Sequence, residues 1–120
     1  MRLATTTCDF GIYPTHEERI RHLYDAGFRY IDLSLYTEAD MIPFLQPDWK
    51  ETALKLKEFA ELLGMKFVQA HSPGGNPLSR DAKWDGLLAS TIRSVEVCGI
   101  LGIPNTVVHA GWAGGIGREE

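Results

Sequence analysis

One phrase is used three times along this chain: an amphipathic helix, a stopping glycine and a short apolar strand. The stopping glycines fall at positions 27, 64 and 102, at intervals of 37 and 38 residues. Glycine suits such a place because helices commonly exit through a left-handed residue, a conformation that costs glycine almost nothing. The first helix is announced by Thr15 with Glu18 three residues on, a capping-box pattern, and Ile20, Leu23, Tyr24 and Ala26 form its apolar side. The strand expected after Gly27 runs from Phe28 to Ser34. The second helix starts near Asp48, with Leu54, Leu56, Phe59, Leu62 and Leu63 as its apolar side, and the strand after Gly64 is Lys66 to His71. The third helix is expected from about Asp81 to Leu101, with Leu87, Leu88, Thr91, Ile92, Val95 and Cys98 as its buried stripe. Gly102 closes it, and Thr106 to His109 is the strand that follows. An opening strand from Leu3 to about Cys8 completes the order β-α-β-α-β-α-β.

Alternating strands and helices place the chain in the α/β class with a parallel sheet, because parallel neighbours need a crossover and that crossover is right-handed. Two architectures fit. A small open doubly wound sheet would be complete at 120 residues, whereas a (β/α)8 TIM barrel typically needs about 250, so residues 1–120 would be the N-terminal half of one. The half barrel is favoured. The segment after the first strand, Thr7 to Pro14, holds one glycine rather than a phosphate-binding glycine loop. Only eleven residues follow His109, four of them glycine, where an open sheet would want a further covering helix.

Composition removes other classes. Hydrophobic residues at 44% and charged residues at 23% exclude a disordered chain. Twelve Lys+Arg against sixteen Asp+Glu, with no basic tract, argue against nucleic acid or an anionic membrane as partner. The start of the chain lacks a leader's long apolar core, and no apolar run approaches the roughly 18 residues of a membrane span, so a cytoplasmic protein is expected. Cys8 and Cys98, ninety residues apart, read as thiols rather than a disulfide or metal pair.

Chemistry in parallel α/β folds collects where strands end. Seven residues past each stopping glycine stand Ser34, His71 and His109, a hydroxyl and two imidazoles at equivalent strand ends. Two imidazoles on neighbouring strands are candidates for a shared divalent metal (zinc, manganese, cobalt or nickel) or for an oxyanion. Asp32 interrupts the apolar run Tyr30-Ile31-Asp32-Leu33, so its carboxylate needs a cation or a polar site. Trp112 beside His109 is a candidate wall for a sugar pocket. His16 and His22, among the charges of the first helix, are expected on its solvated face. The glycine-rich run from Gly111 to Gly117 lacks the ending of a phosphate loop and reads as a flexible connection.

The strand Phe28-Arg29-Tyr30-Ile31-Asp32-Leu33, the segment Val68-Gln69-Ala70-His71-Ser72-Pro73 and the run from Ser94 through Val107-Val108-His109-Ala110-Gly111 resemble the xylose-isomerase-like TIM-barrel superfamily. That group includes sugar phosphate isomerases and epimerases, hydroxypyruvate isomerase, inosose dehydratase and endonuclease IV. The resemblance covers nearly the whole chain and reaches the first four strands of that barrel. It implies a fragment of a metal-dependent sugar or sugar phosphate isomerase or epimerase, which works by proton transfer beside a carbonyl through an enediolate. It implies Asp32, His71 and His109 as substrate-binding residues, and Trp112, a loop anchor or a sugar wall by its place, joins them as a substrate-binding candidate. His71 and His109 match zinc ligands of the endonuclease branch. In the isomerase branch a divalent metal (Mn, Zn, Co or Mg) takes its main carboxylate ligands from strands five to eight, and the catalytic glutamates likewise have no counterpart before residue 120. An endonuclease IV-like DNA-repair fragment is the less favoured branch, because this half is acidic and carries Gly74 where that branch generally has an aromatic residue. A non-catalytic half barrel is the other alternative, acting as a binding or assembly module and oligomerising through its exposed sheet edges.

Overall fold

The computed structural model describes residues 3–8, 13–78 and 84–111. Four parallel strands form one sheet in the order β1 (Ala4–Thr6), β2 (Tyr30–Ser34), β3 (Lys66–His71), β4 (Thr106–Val107). Between them lie α1 (His16–Asp25), a short α2 (Glu38–Met41) running into a 3-10 turn at Ile42–Phe44, α3 (Trp49–Leu62) and α4 (Trp84–Leu101). Spatial order follows chain order, and α1 packs on α3, which packs on α4. Right-handed crossovers between successive neighbours put these helices on one face of the sheet.

Local sequence explains the elements. The Thr15 hydroxyl accepts from the Glu18 amide while the Glu18 carboxylate accepts from the Thr15 amide, so the expected capping box opens α1. The expected turn glycines sit in the left-handed region, with φ of +94° at Gly27, +68° at Gly64 and +70° at Gly102. The core lies between sheet and helices, where Ile31, Leu33, Phe67 and Ala70 meet Ile20 and Leu23 of α1, Leu56 of α3 and Val97 of α4. Arg93 ties α4 to the 3-10 turn and α3: its guanidinium donates to the Phe44 carbonyl at 2.8 Å and lies over the Trp49 ring at 4.1 Å. Cys98 is buried and Cys8 half-buried, and neither is in a disulfide. Burial pushes the Cys98 thiol above its ordinary pKa. Among the described residues, no helix is long and apolar enough to cross a membrane.

Two helices are rotated from the faces read off their sequences. In α3 the sheet-facing residues are Ala53, Leu56 and Ala60, while Leu54 and Leu62 are exposed. Alanine on the inner line lets the helix approach closely, and of the expected side Leu56 is buried while Phe59 and Leu63 pack partly buried against the core. In α4 the inner line is Ser94, Val97, Cys98 and Leu101, and Leu88, Ile92 and Val95 stand exposed on a flank. A serine on the inner line hid the true face. Its hydroxyl is satisfied internally, 2.7 Å from the Thr91 carbonyl oxygen and 3.0 Å from the Ser72 hydroxyl. The start expected for this helix near Asp81 lies outside the described residues. The strands are shorter than expected at 3–8, 28–34 and 106–109, and β3 has its expected bounds.

Candidate functional site

A single irregularity in the sheet builds the site. Ile31 pairs with Phe67, but the next residue, Asp32, pairs with Gln69, so β3 carries one extra residue at Val68. An extra residue reverses which face the following side chains take. Phe67 and Ala70 therefore both serve the helix-side core, while Gln69 and His71 join Asp32 on the opposite face. Asp32 Oδ1 lies 3.0 Å from His71 Nδ1, and Asp32 Oδ2 accepts from Gln69 Nε2 at 2.9 Å. The aspartate is 16% exposed and the imidazole 35%.

A carboxylate only accepts, so this contact makes Nδ1 the protonated nitrogen of neutral His71 and leaves Nε2 with its lone pair. The carboxylate expected to need a partner thus finds two, and one is a half-exposed imidazole fixed in ring orientation and tautomer. Such a nitrogen can accept a hydrogen bond from a hydroxyl, move a proton or ligate a metal.

His109 does not lie at the depth expected for it. His71 pairs with Val107, so His109 stands two residues beyond the register partner of His71. Depth in a sheet is set by hydrogen-bond register rather than by a count from the preceding glycine. Ala70, six residues past Gly64, pairs with Thr106, four residues past Gly102. Ser34 and His71 do pair directly. His109 packs against Tyr36 with ring centroids 5.3 Å apart at 82°, its Nε2 buried without a hydrogen-bond partner. It also lines a cavity of about 140 Å³ with Pro73, Leu87, Thr91 and Val108. Among the described residues, no three of His, Cys, Asp and Glu come together as a metal site. Trp112, and Asp9-Phe10 after the first strand, lie outside the described residues.

His16 corrects an expectation. Rather than lying on a solvated face it is 5% exposed, with Nε2 2.9 Å from the Asp40 carbonyl oxygen and its ring tilted on Phe44. The α2 segment covers it, and the sequence reading had placed no element there. Its pKa is lowered, first by burial, against the raising influence of the Asp40 carbonyl bond. His22 is half-buried and stacks on Tyr13 at 4.6 Å. Asp40 itself is a hub: Arg19 bonds one oxygen, and the Ser34 hydroxyl (3.2 Å) and the Thr37 amide (3.1 Å) donate to the other. Burial pushes the Asp40 carboxyl up, but the Arg19 and Thr37 hydrogen bonds outweigh it and hold its pKa below the ordinary value.

Sequence reasoning missed Gln69, Tyr36 and Asp40. Gln69 stood two residues before His71, the strand period that shares a face. Thr37 and Asp40 repeat the capping-box spacing with aspartate in place of glutamate, and the box forms. No family model and no curated protein matches the chain.

Proposed function

We propose that the chain is the N-terminal half of a xylose-isomerase-like (β/α)8 barrel and supplies part of the sugar-binding site of a sugar or sugar phosphate isomerase or epimerase. The observation that carries this is the Asp32–His71 pair, held with Gln69 on the sheet face away from the helices. Sequential strand order supports the barrel, since a doubly wound sheet reverses order at a switch point and covers both faces with helices. In a barrel that uncovered face is the interior, and the ends of β2 and β3 open on its mouth.

The half barrel contributes recognition. His71 Nε2 accepts from a sugar hydroxyl, and Asp32 keeps the ring oriented for it. The proton transfer beside the carbonyl belongs to carboxylates that this reading places beyond residue 120. His71 and His109 do not by themselves make a metal shell, so no step is drawn through a metal. Ligands from later strands would have to complete one.

The experiment follows the His71 ring resonances in D₂O while ketopentoses and ketohexoses are added to the purified chain. The expected result is a saturable shift of His71 that is lost in Asp32→Asn, with no deuterium entering the carbon beside the sugar carbonyl. A His71 that responds to no ketose contradicts the sugar assignment. Deuterium incorporation that is abolished by His71→Ala would contradict the division of labour and place catalysis in this half.

A further inference from the structure

We infer that Tyr36 is the aromatic wall of this site, the residue whose ring packs on the C–H face of a cyclic sugar; the inference rests on the sugar assignment above. The Leu35 amide donates to the His71 carbonyl at 2.9 Å, so Tyr36 leaves the sheet one residue past this β2–β3 bond and two residues past Ser34, the register partner of His71. It is 45% exposed, a large aromatic surface left open next to half-buried polar groups. Small-molecule sites are commonly made that way: an apolar or aromatic wall gives contact area, and a few polar atoms give direction.

The ring is held in advance of any ligand. The Gly74 amide donates to the Tyr36 carbonyl at 2.8 Å, binding the segment after β3 to the segment after β2. The ring then occupies the space where a side chain at position 74 would be. A Cβ placed on Gly74 would fall 2.2 Å from Tyr36 Cζ and 2.7 Å from its hydroxyl oxygen. Real Cβ atoms do not approach ring carbons that closely, so the ring has this position because residue 74 is glycine. His109 closes another side through its edge contact at 5.3 Å. A ring whose main chain is bonded to Gly74 and whose side meets an imidazole loses less freedom when a ligand stacks on it than a ring on an untethered loop.

Saturation-transfer NMR and calorimetry with D-xylulose, D-ribulose, D-fructose and D-tagatose test this on the full chain. The variants are Tyr36→Phe, Tyr36→Ala and His71→Ala, each checked for an unchanged thermal midpoint. The expected result is that Tyr36→Phe binds within about 3-fold of the parent while Tyr36→Ala weakens binding 10-fold or more. The sugar C–H protons should also lose saturation transfer in Tyr36→Ala. A ketose that binds the parent and Tyr36→Ala alike overturns the inference and leaves the sugar assignment standing. If no ketose binds the parent, the sugar assignment falls and this inference falls with it. Should Tyr36→Ala unfold, Tyr36→Leu replaces it: aliphatic filling keeps the packing on Gly74 but not the stacking face, so parent-like affinity in that variant also overturns the inference.

Discussion

Asp40 with His16 and Asp32 with His71 are two aspartate–histidine contacts built for opposite ends. Asp40 and His16 meet through a backbone carbonyl, with His16 sealed under Phe44 and the Asp40 carboxylate saturated by Arg19, Ser34 and Thr37. Asp32 and His71 meet side chain to side chain on the face away from the helices, with the imidazole half-exposed. Every polar atom of Asp40 is spent on holding α1, α2 and the end of β2 together. Asp32 spends its atoms on orienting one imidazole and leaves that ring's second nitrogen available. Residue type alone does not distinguish a structural pair from a functional one, nor does a spare ring nitrogen, since His16 Nδ1 is also without a hydrogen-bond partner; what distinguishes them is access, with His16 5% exposed and the His71 side chain 35% exposed.

That contrast breaks most sharply under Asp40→Ala, which strips the partner from a mostly buried guanidinium. A loss of about 3–5 kcal/mol is expected in urea unfolding, and a loss under 1 kcal/mol would mean the cluster is not structural. Next comes Gly74→Ala, which must push aside the end of the Tyr36 side chain, an exposed ring that can swing away, so the cost is about 1–1.5 kcal/mol. It should also shift the Tyr36 ring resonances, and unmoved ring resonances would mean that the ring does not sit over position 74.

Acid separates the two histidine environments. Because the folded pKa of His16 is lowered below 6.5, the unfolded chain binds the extra proton. Stability is therefore full above 6.5 and is lost as pH falls through the folded value, at no more than about 1.4 kcal/mol per pH unit. Asp40, also lowered, acts with the same sign in a more acidic window, below its ordinary 3.8. In His16→Gln, the dependence just below pH 6.5 should flatten while the Asp40 window remains; an unaltered profile places the titration elsewhere. The smallest effect is expected for Asp32→Asn. One carbonyl oxygen still accepts, so stability should change by about 1 kcal/mol even as ketose affinity drops. A loss as large as that of Asp40→Ala would make Asp32 a second structural hub.

Much of the scaffold was legible because it is written locally. Gly27, Gly64 and Gly102, the Thr15–Glu18 box and the β-branched and aromatic strand segments each depend on a few adjacent residues, and all appear where expected, three of the strands shortened. What failed depends on partners distant in sequence. Helix faces in α3 and α4 were misjudged because Ala53, Ala60 and Ser94 take inner places that hydrophobicity alone assigns to leucine and valine. His16 looked solvated because its cover, α2 with the 3-10 turn, comes 22 residues later. In the site, Asp32 and His71 were recognised singly, but their contact depends on the extra residue at Val68, and a bulge leaves no mark in composition. The depth of His109 was misread for the same reason, since register is a property of two strands together.

The central claim is that Asp32 orients His71 for work while His16 is locked away, and the imidazole tautomers report this directly. A long-range ¹H–¹⁵N spectrum of the histidine rings at about pH 8.5, where an ordinary imidazole is neutral, should show opposite assignments. His71 should carry its proton on Nδ1, facing the Asp32 carboxylate, and His16 on Nε2, facing the Asp40 carbonyl. His71 found with its proton on Nε2 would contradict the account, because the nitrogen said to await a ligand would then be the donor and the pair with Asp32 would not exist.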